Sequence, residues 1–156
     1  MTQLAFADPT VVFAQPLRIR FAHCDPAGIV FFPQYLVLQN GLVEDWFTDG
    51  LDINYADLLG RRRVGVPIVQ LQCQFQAISR MGDAVRQTVG IERVGRSSLT
   101  LVLQCRGDDG LRMQSRQVLV TTDLDTHKAV PLPDDLLAAL RGLPQGSDPP
   151  TTTDRR

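Results

Sequence analysis

The sequence predicts an α+β domain in which one curved antiparallel sheet wraps a single long helix. Three observations predict it. An alternating run at Val11–His23 reads as a strand, and Phe32–Asp49 reads as a helix apolar on most of its sides. Four more strand-like runs then follow at intervals of about 12 residues between Ile68 and Thr122, separated by short turns.

Each element has its own local reason. In the first strand Leu17, Ile19 and Phe21 alternate with Arg18 and Arg20, and Asp25-Pro26 with Gly28 marks the turn after it. Pro33 suits the first turn of the helix, where a missing N–H costs nothing, and Gly50 is expected at the C′ position. Tyr35, Leu38, Leu42 and Trp46 recur at helical spacing, while Leu36, Val37, Val43 and Phe47 widen the stripe, so the helix is expected to be largely enclosed. A short helix is expected near Ile53–Leu59. Strands are expected at Ile68–Ile78, Ala84–Val94, Ser98–Arg106 and Arg112–Thr122, forming a meander, with a last helix near Pro133–Arg141. The expected domain is 1–143. Residues 144–156 are rich in Pro, Gly, Ser, Thr and Asp and are expected to be disordered. A five-stranded sheet leaves an open edge, and pairing of sheets between subunits would cover it.

Composition excludes several classes. With 156 residues, 44% of them hydrophobic, the chain supports one domain with a substantial core. A net charge of −1 gives no basic footprint, so no nucleic-acid partner is expected. The three cysteines, Cys24, Cys73 and Cys105, lack the spacing of a zinc site and their odd number argues against a disulfide framework, so neither metal nor cofactor is expected. No apolar run is long enough to span a bilayer, and the first residues lack a basic and apolar leader pattern. The expected location is the cytoplasm.

The most informative segment is His23-Cys24-Asp25-Pro26-Ala27-Gly28-Ile29-Val30-Phe31-Phe32-Pro33-Gln34-Tyr35. It places a carboxylate in a loop just ahead of a helix N-terminus. Free N–H groups and the positive end of a helix dipole suit a developing oxyanion, so acyl transfer is chemically accessible here. The run from Asp25 to Val30, with the aromatic pair and Pro33-x-Tyr35, resembles the signature of the 4-hydroxybenzoyl-CoA thioesterase family. Gly65-Val66-Pro67-Ile68-Val69, Gly82-Asp83 and Gly95-Arg96-Ser97-Ser98 fall where that family has similar elements.

The resemblance implies the hotdog fold, assembly as a dimer or tetramer, and hydrolysis of an acyl-CoA, with coenzyme A entering as part of the substrate. It implies Asp25 as nucleophile or general base, and the Phe32 main-chain N–H as oxyanion donor where many relatives carry Tyr or His. Gly28 belongs to the same loop. Asn40 falls where aryl-CoA relatives place a helix carboxylate that meets a ring hydroxyl, which leans the substrate towards an aromatic, hydroxybenzoyl-like or short acyl group. Pro67, Arg96 and Ser98 fall in elements that bind the substrate, and Arg62 within Arg61-Arg62-Arg63 is a candidate for the phosphates. Two other readings compete: a non-catalytic binding module for acyl-CoA or acyl carrier protein, and a hotdog hydratase or dehydratase. The latter calls for a histidine beside the acid, and none follows Asp25 in the loop. His23 and Cys24, as neighbours on a strand, would point to opposite faces and form no Cys–His pair. Glu44 and Asp45 read as part of a solvated face.

Overall fold

The structure is a computed structural model that describes Phe6 and residues 8–144. Beyond Pro144, the tail expected to be disordered lies outside the described residues. In chain order the elements are β1 (Val11–Arg18), α1 (Phe32–Asp45), α2 (Tyr55–Gly60), β2 (Val64–Gly65), β3 (Ile68–Phe75), β4 (Ala84–Val94), β5 (Ser98–Gly107), β6 (Gly110–Val120), β7 (Thr122–Asp123) and α3 (Asp134–Arg141). Five strands form an antiparallel sheet in the order β1-β4-β5-β6-β3, and β2 pairs with β7. One face of the sheet packs on α1, which is the hotdog layout. Among the described residues, no helix is long and apolar enough to cross a membrane.

The four later strands do not form a simple meander. β4, β5 and β6 are joined by tight turns, with Gly107 opposite Gly110 in the second and Gly110 at a φ of 126°. These hairpins keep the three strands side by side. The connection 76–83 between β3 and β4 is longer, and β3 crosses to the far edge beside β6, where Leu71 faces Gln117 and Phe75 faces Met113. The first strand also ends early. After Arg18 the chain turns through a 3-10 segment at Phe21–His23, so His23 and Cys24 are not strand neighbours.

α1 starts at Phe32 with Pro33 in its first turn. Its end differs from expectation: after Asp45 the chain widens into one π-helical turn, Trp46–Gly50, with Leu51 N–H donating to Trp46 O at 2.9 Å. Gly50 is therefore not a left-handed C′ cap. Its role is room, because a Cβ there would lie 2.7 Å from Trp46 Cδ1 and 3.1 Å from Phe13 Cδ2.

Two apolar clusters flank the middle of α1. The larger packs Leu42, Val43, Trp46 and Phe47 against Leu99, Leu101, Leu103 and Leu119 of the sheet and Leu136 and Leu140 of α3. Each such fully buried side chain contributes roughly 1.5–3 kcal/mol. The smaller joins Ile19, Val30, Tyr35, Val85, Cys105 and Met113 beneath the Asp25 loop. The helix is enclosed only in its C-terminal half. Towards the N-terminus Val37 remains 62% exposed, and on the neighbouring edge strand Val69 is 61% exposed.

A glycine within a helical segment usually gains about 1 kcal/mol on replacement by alanine. At Gly50 the sign reverses: Gly50→Ala is expected to lose about 1–3 kcal/mol through overpacking against Trp46. Urea unfolding followed by tryptophan fluorescence checks this.

Candidate active site

The loop ahead of α1 is closed on itself by the main chain. Asp25 N–H donates to Ile29 O at 3.1 Å, Gly28 N–H to Asp25 O at 2.9 Å, and Phe31 N–H to His23 O at 2.9 Å. Gly28 has a φ of 77°, which an L side chain rarely adopts, so glycine is what lets the turn close. Asp25 Oδ1 accepts from Ala27 N–H at 2.9 Å, an Asx turn that fixes the carboxylate. Its Oδ2 has no donor among the described residues. The half-buried carboxylate lines a cavity of about 390 Å3 together with Phe21, Cys24, Pro26, Gly28 and Met81.

Free donors are scarce where α1 begins. Phe31 N–H is taken by His23 O, Pro33 has no N–H, and Gln34 N–H turns back to Phe31 O at 2.8 Å. Phe32 N–H has no acceptor among the described residues. The same loop thus carries an open carboxylate oxygen and, at the end that enters the helix, an open amide. Aromatic rings line the helix start, with Phe32 5.6 Å from Phe31 and 6.1 Å from Phe75 between ring centres.

His23 takes no part as an acid or base in this arrangement. Its Nδ1 accepts from Arg20 N–H at 3.0 Å, and burial, then the nearby Arg20 charge, lower its pKa. Cys24 Sγ instead contacts Arg20 O at 3.6 Å, so no Cys–His pair forms. No group of three or more His, Cys, Asp or Glu able to hold a metal ion occurs among the described residues.

The loop is anchored to the turn that precedes β4. Val30 N–H donates to Ser79 O at 2.9 Å, Met81 N–H to Gly28 O at 3.4 Å, and Ile29 bridges Arg80. That turn is itself clamped by Arg112, a largely buried side chain of β6. Arg112 donates to Ile78 O and pairs with Asp83 at 3.2 Å and Asp109 at 2.8 Å. The Arg80 N–H and then Arg112 lower the pKa of Asp83, keeping it ionised. Tyr35 O–H, from α1, donates to Ser79 Oγ at 2.7 Å. Sequence reading missed Arg112 and Ser79, because their role exists only through contacts between distant segments.

The remaining candidates do not gather here. Asn40 lies two turns along α1 and opens on a second cavity, a groove of about 490 Å3 between α1 and β3. Pro67, Arg96 and Ser98 sit at the opposite end of the sheet: Ser98 pairs with Val120, whose N–H donates to Pro67 O at 3.1 Å. β3 runs from that end to the end beside the loop, a span of roughly 25 Å at the usual strand rise. Arg62 is committed elsewhere, its fork bonded to both oxygens of Asp135 at 2.7 and 2.8 Å. Arg61 and Arg63 are likewise paired, with Asp57 and Asp125.

The loop inherits its order from the Arg112 clamp. Arg112→Met is expected to lower hydrogen-exchange protection of the Val30 and Met81 amides by roughly 10-fold or more, the size of one or two lost charge-assisted bonds. The amides of β5 are expected to keep theirs.

Comparison with known proteins places this geometry. The sequence profile of the thioesterase-like superfamily matches residues 19–140. A 1,4-dihydroxy-2-naphthoyl-CoA hydrolase from Thermosynechococcus vestitus is 28% identical over 140 residues, covering 88% of this chain and 94% of that protein. A gentisyl-coenzyme A thioesterase superposes with a TM-score of 0.74 at 24% identity, covering 81% of this chain and 98% of the other. A thioesterase-superfamily structure from Jannaschia superposes at 0.81 with 21% identity, covering 92% and 100%. The profile spans the Asp25 loop, α1 and every strand of the sheet but β1, and the chain belongs to the thioesterase-like superfamily.

Proposed function

We propose that the protein is an acyl-CoA thioesterase that cleaves an aromatic acyl thioester to the free acid and coenzyme A. One observation carries the reading: Asp25 Oδ2 and Phe32 N–H, at the two ends of one closed loop, both lack a protein partner among the described residues. A thioester needs little more. Sulfur donates weakly into its carbonyl, so a carboxylate near the carbon and a donor at the oxygen suffice. A well-placed oxyanion donor lowers such a barrier by about 3–4 kcal/mol.

In the proposed reaction the carbonyl oxygen accepts from Phe32 N–H, and the start of α1 stabilises the charge that develops there. Asp25 either attacks the carbonyl carbon or removes a proton from the water that does. In the first case thiolate leaves and water then cleaves the mixed anhydride; in the second, the tetrahedral adduct expels thiolate directly. Both routes take up one water and release the acid and the thiol. The exposed rings of Phe31, Phe32 and Phe75 offer flat apolar surface beside that carbonyl. Relatives named for dihydroxynaphthoyl-CoA and gentisyl-CoA support an aromatic acyl group. Asn40 is assigned to a polar contact with it.

The active form is proposed to be at least a dimer. β3 has a free edge, and Ile68, Val69, Leu71 and Phe75 along it are exposed. Antiparallel pairing of two such edges about a two-fold axis sets the start of one β3 beside the end of the other. The partner's Pro67, Ser98 and Arg96 then approach this chain's Asp25 loop, closing the separation found within one protomer. Arg96, which has no ion-pair partner among the described residues, is assigned to the phosphates of coenzyme A in place of Arg62.

Asp25→Asn is expected to lower kcat by about 100-fold or more on an aromatic acyl-CoA, measured by thiol release, with KM little changed. Activity retained within a few-fold would remove Asp25 from the chemistry. Val69→Arg, on the free edge, is expected to shift the protein to monomer by light scattering and to abolish hydrolysis together with it.

A further inference from the structure

We propose that Gln117 is a specificity-determining residue, presenting a fixed hydrogen-bond acceptor that selects acyl groups carrying a neutral donor such as a ring hydroxyl. The proposal rests on the thioesterase reading and names the feature of the acyl group that the protein recognises.

Between the two apolar clusters lies a buried polar layer. Gln39, 1% exposed, projects from α1 onto Ser115 and Gln117 of β6, which are 0% and 2% exposed. Ser115 O–H donates to Gln39 Oε1 at 2.7 Å. Gln117 Nε2 donates to Gln39 Oε1 at 3.2 Å and to Ser115 Oγ at 3.1 Å. Gln39 Nε2 donates to Met113 Sδ at 3.2 Å.

This chain of bonds has one sense. A thioether sulfur can accept but has no proton to give. Turning the Gln39 amide over would bury its oxygen against Met113 Sδ without a donor, which buried polar groups rarely tolerate. Gln39 therefore points its oxygen at Ser115 and Gln117, and Gln117 must meet it with its NH2 group. Both N–H bonds of Gln117 are then spent, and its Oε1 has no donor among the described residues.

Gln117 also lines the groove between α1 and β3, whose apolar walls are Leu36, Val37, Ile68, Val69 and Leu71, with the exposed Asn40 and Gln70 beside them. A groove of about 490 Å3 is of ligand size. It combines flat apolar walls with an acceptor that cannot rotate. A hydroxyl or amino group on a planar acyl body satisfies that oxygen, whereas a bare or fluorinated ring leaves it unpaired and a carboxylate is repelled. Asn40 and Gln70, whose side chains have no fixed partner among the described residues, can donate or accept and impose no such choice.

The test compares kcat/KM for positional isomers of hydroxy-, amino- and fluorobenzoyl-CoA against benzoyl-CoA. Wild type is expected to favour its best hydroxy or amino isomer over benzoyl and fluorobenzoyl by roughly 10-fold or more, the worth of one neutral hydrogen bond. Gln117→Leu and the length-preserving Gln117→Met are expected to bring that ratio to within about threefold. Gln39→Leu, which frees the Gln117 amide to turn, is expected to erode the preference without altering the groove wall. Absence of the preference in wild type, or its survival in both Gln117 variants, overturns the proposal. Kd values of the same thioesters for Asp25→Asn separate this claim from the hydrolase reading. A donor preference in Kd with no cleavage by wild type overturns the hydrolase alone, and cleavage with no donor preference overturns this inference alone.

Discussion

The candidate site depends on one clamp. Arg112 reaches from β6 to the carbonyl of Ile78 and to Asp83 and Asp109, fixing the turn through which the chain enters β4. The Asp25 loop has no sheet of its own to lie in. It takes its position from that turn through Val30, Gly28 and the Ile29–Arg80 bridge. A guanidinium suits this task because its planar fork can serve a carbonyl and two carboxylates at once, which a lysine could not match. Tyr35 ties the same turn to α1 through Ser79, so loop, turn and helix start hold one another in place.

The helix is divided along its length into a sealed half and an open one. Its C-terminal half is sealed by Leu42, Val43, Trp46 and Phe47 and closes in a π-helical turn that Gly50 makes sterically possible. Its N-terminal half stays open on the side of Leu36 and Val37, where the groove lies. The polar layer of Gln39, Ser115 and Gln117 marks the border between the halves. Buried amides of this kind are expensive unless they are hydrogen-bonded, and Gln117, whose Oε1 has no donor among the described residues, lines the groove. Met113, part of the smaller cluster, thus also fixes the direction in which the polar layer ends.

The open edge of β3 is the other feature with functional weight. Within one protomer the strand separates the Asp25 loop from Pro67, Ser98 and Arg96 by its full length. A thioester site built from both sets needs two copies, because no flexing of a paired antiparallel strand brings its ends together. The apolar side chains left on this edge fit that role better than a solvated one, since an exposed apolar edge invites pairing.

Much of this was legible in the residues. The α+β class, the strand β4 from Ala84 to Val94, the helix start at Phe32 and the loop with Asp25 and Gly28 follow from alternation, helical spacing and turn chemistry, which act within a few residues. The profile match over residues 19–140 bears out the thioesterase kinship that the Asp25–Tyr35 motif announced. Gln39 stands in the sequence only as a polar residue on an otherwise apolar helix face, and nothing local marks Gln117, whereas Asn40 falls at a position that the family resemblance singles out. Tertiary structure alone decided the placement of β3 beside β6, the π-helical end of α1, the pairing of Arg62 with Asp135 and the Arg112 clamp. The physical reason is range: periodicity and capping are set by neighbours in the chain, whereas edge order, ion-pair choice and the polarity of a buried amide chain are set by groups that meet only after the sheet has closed on the helix.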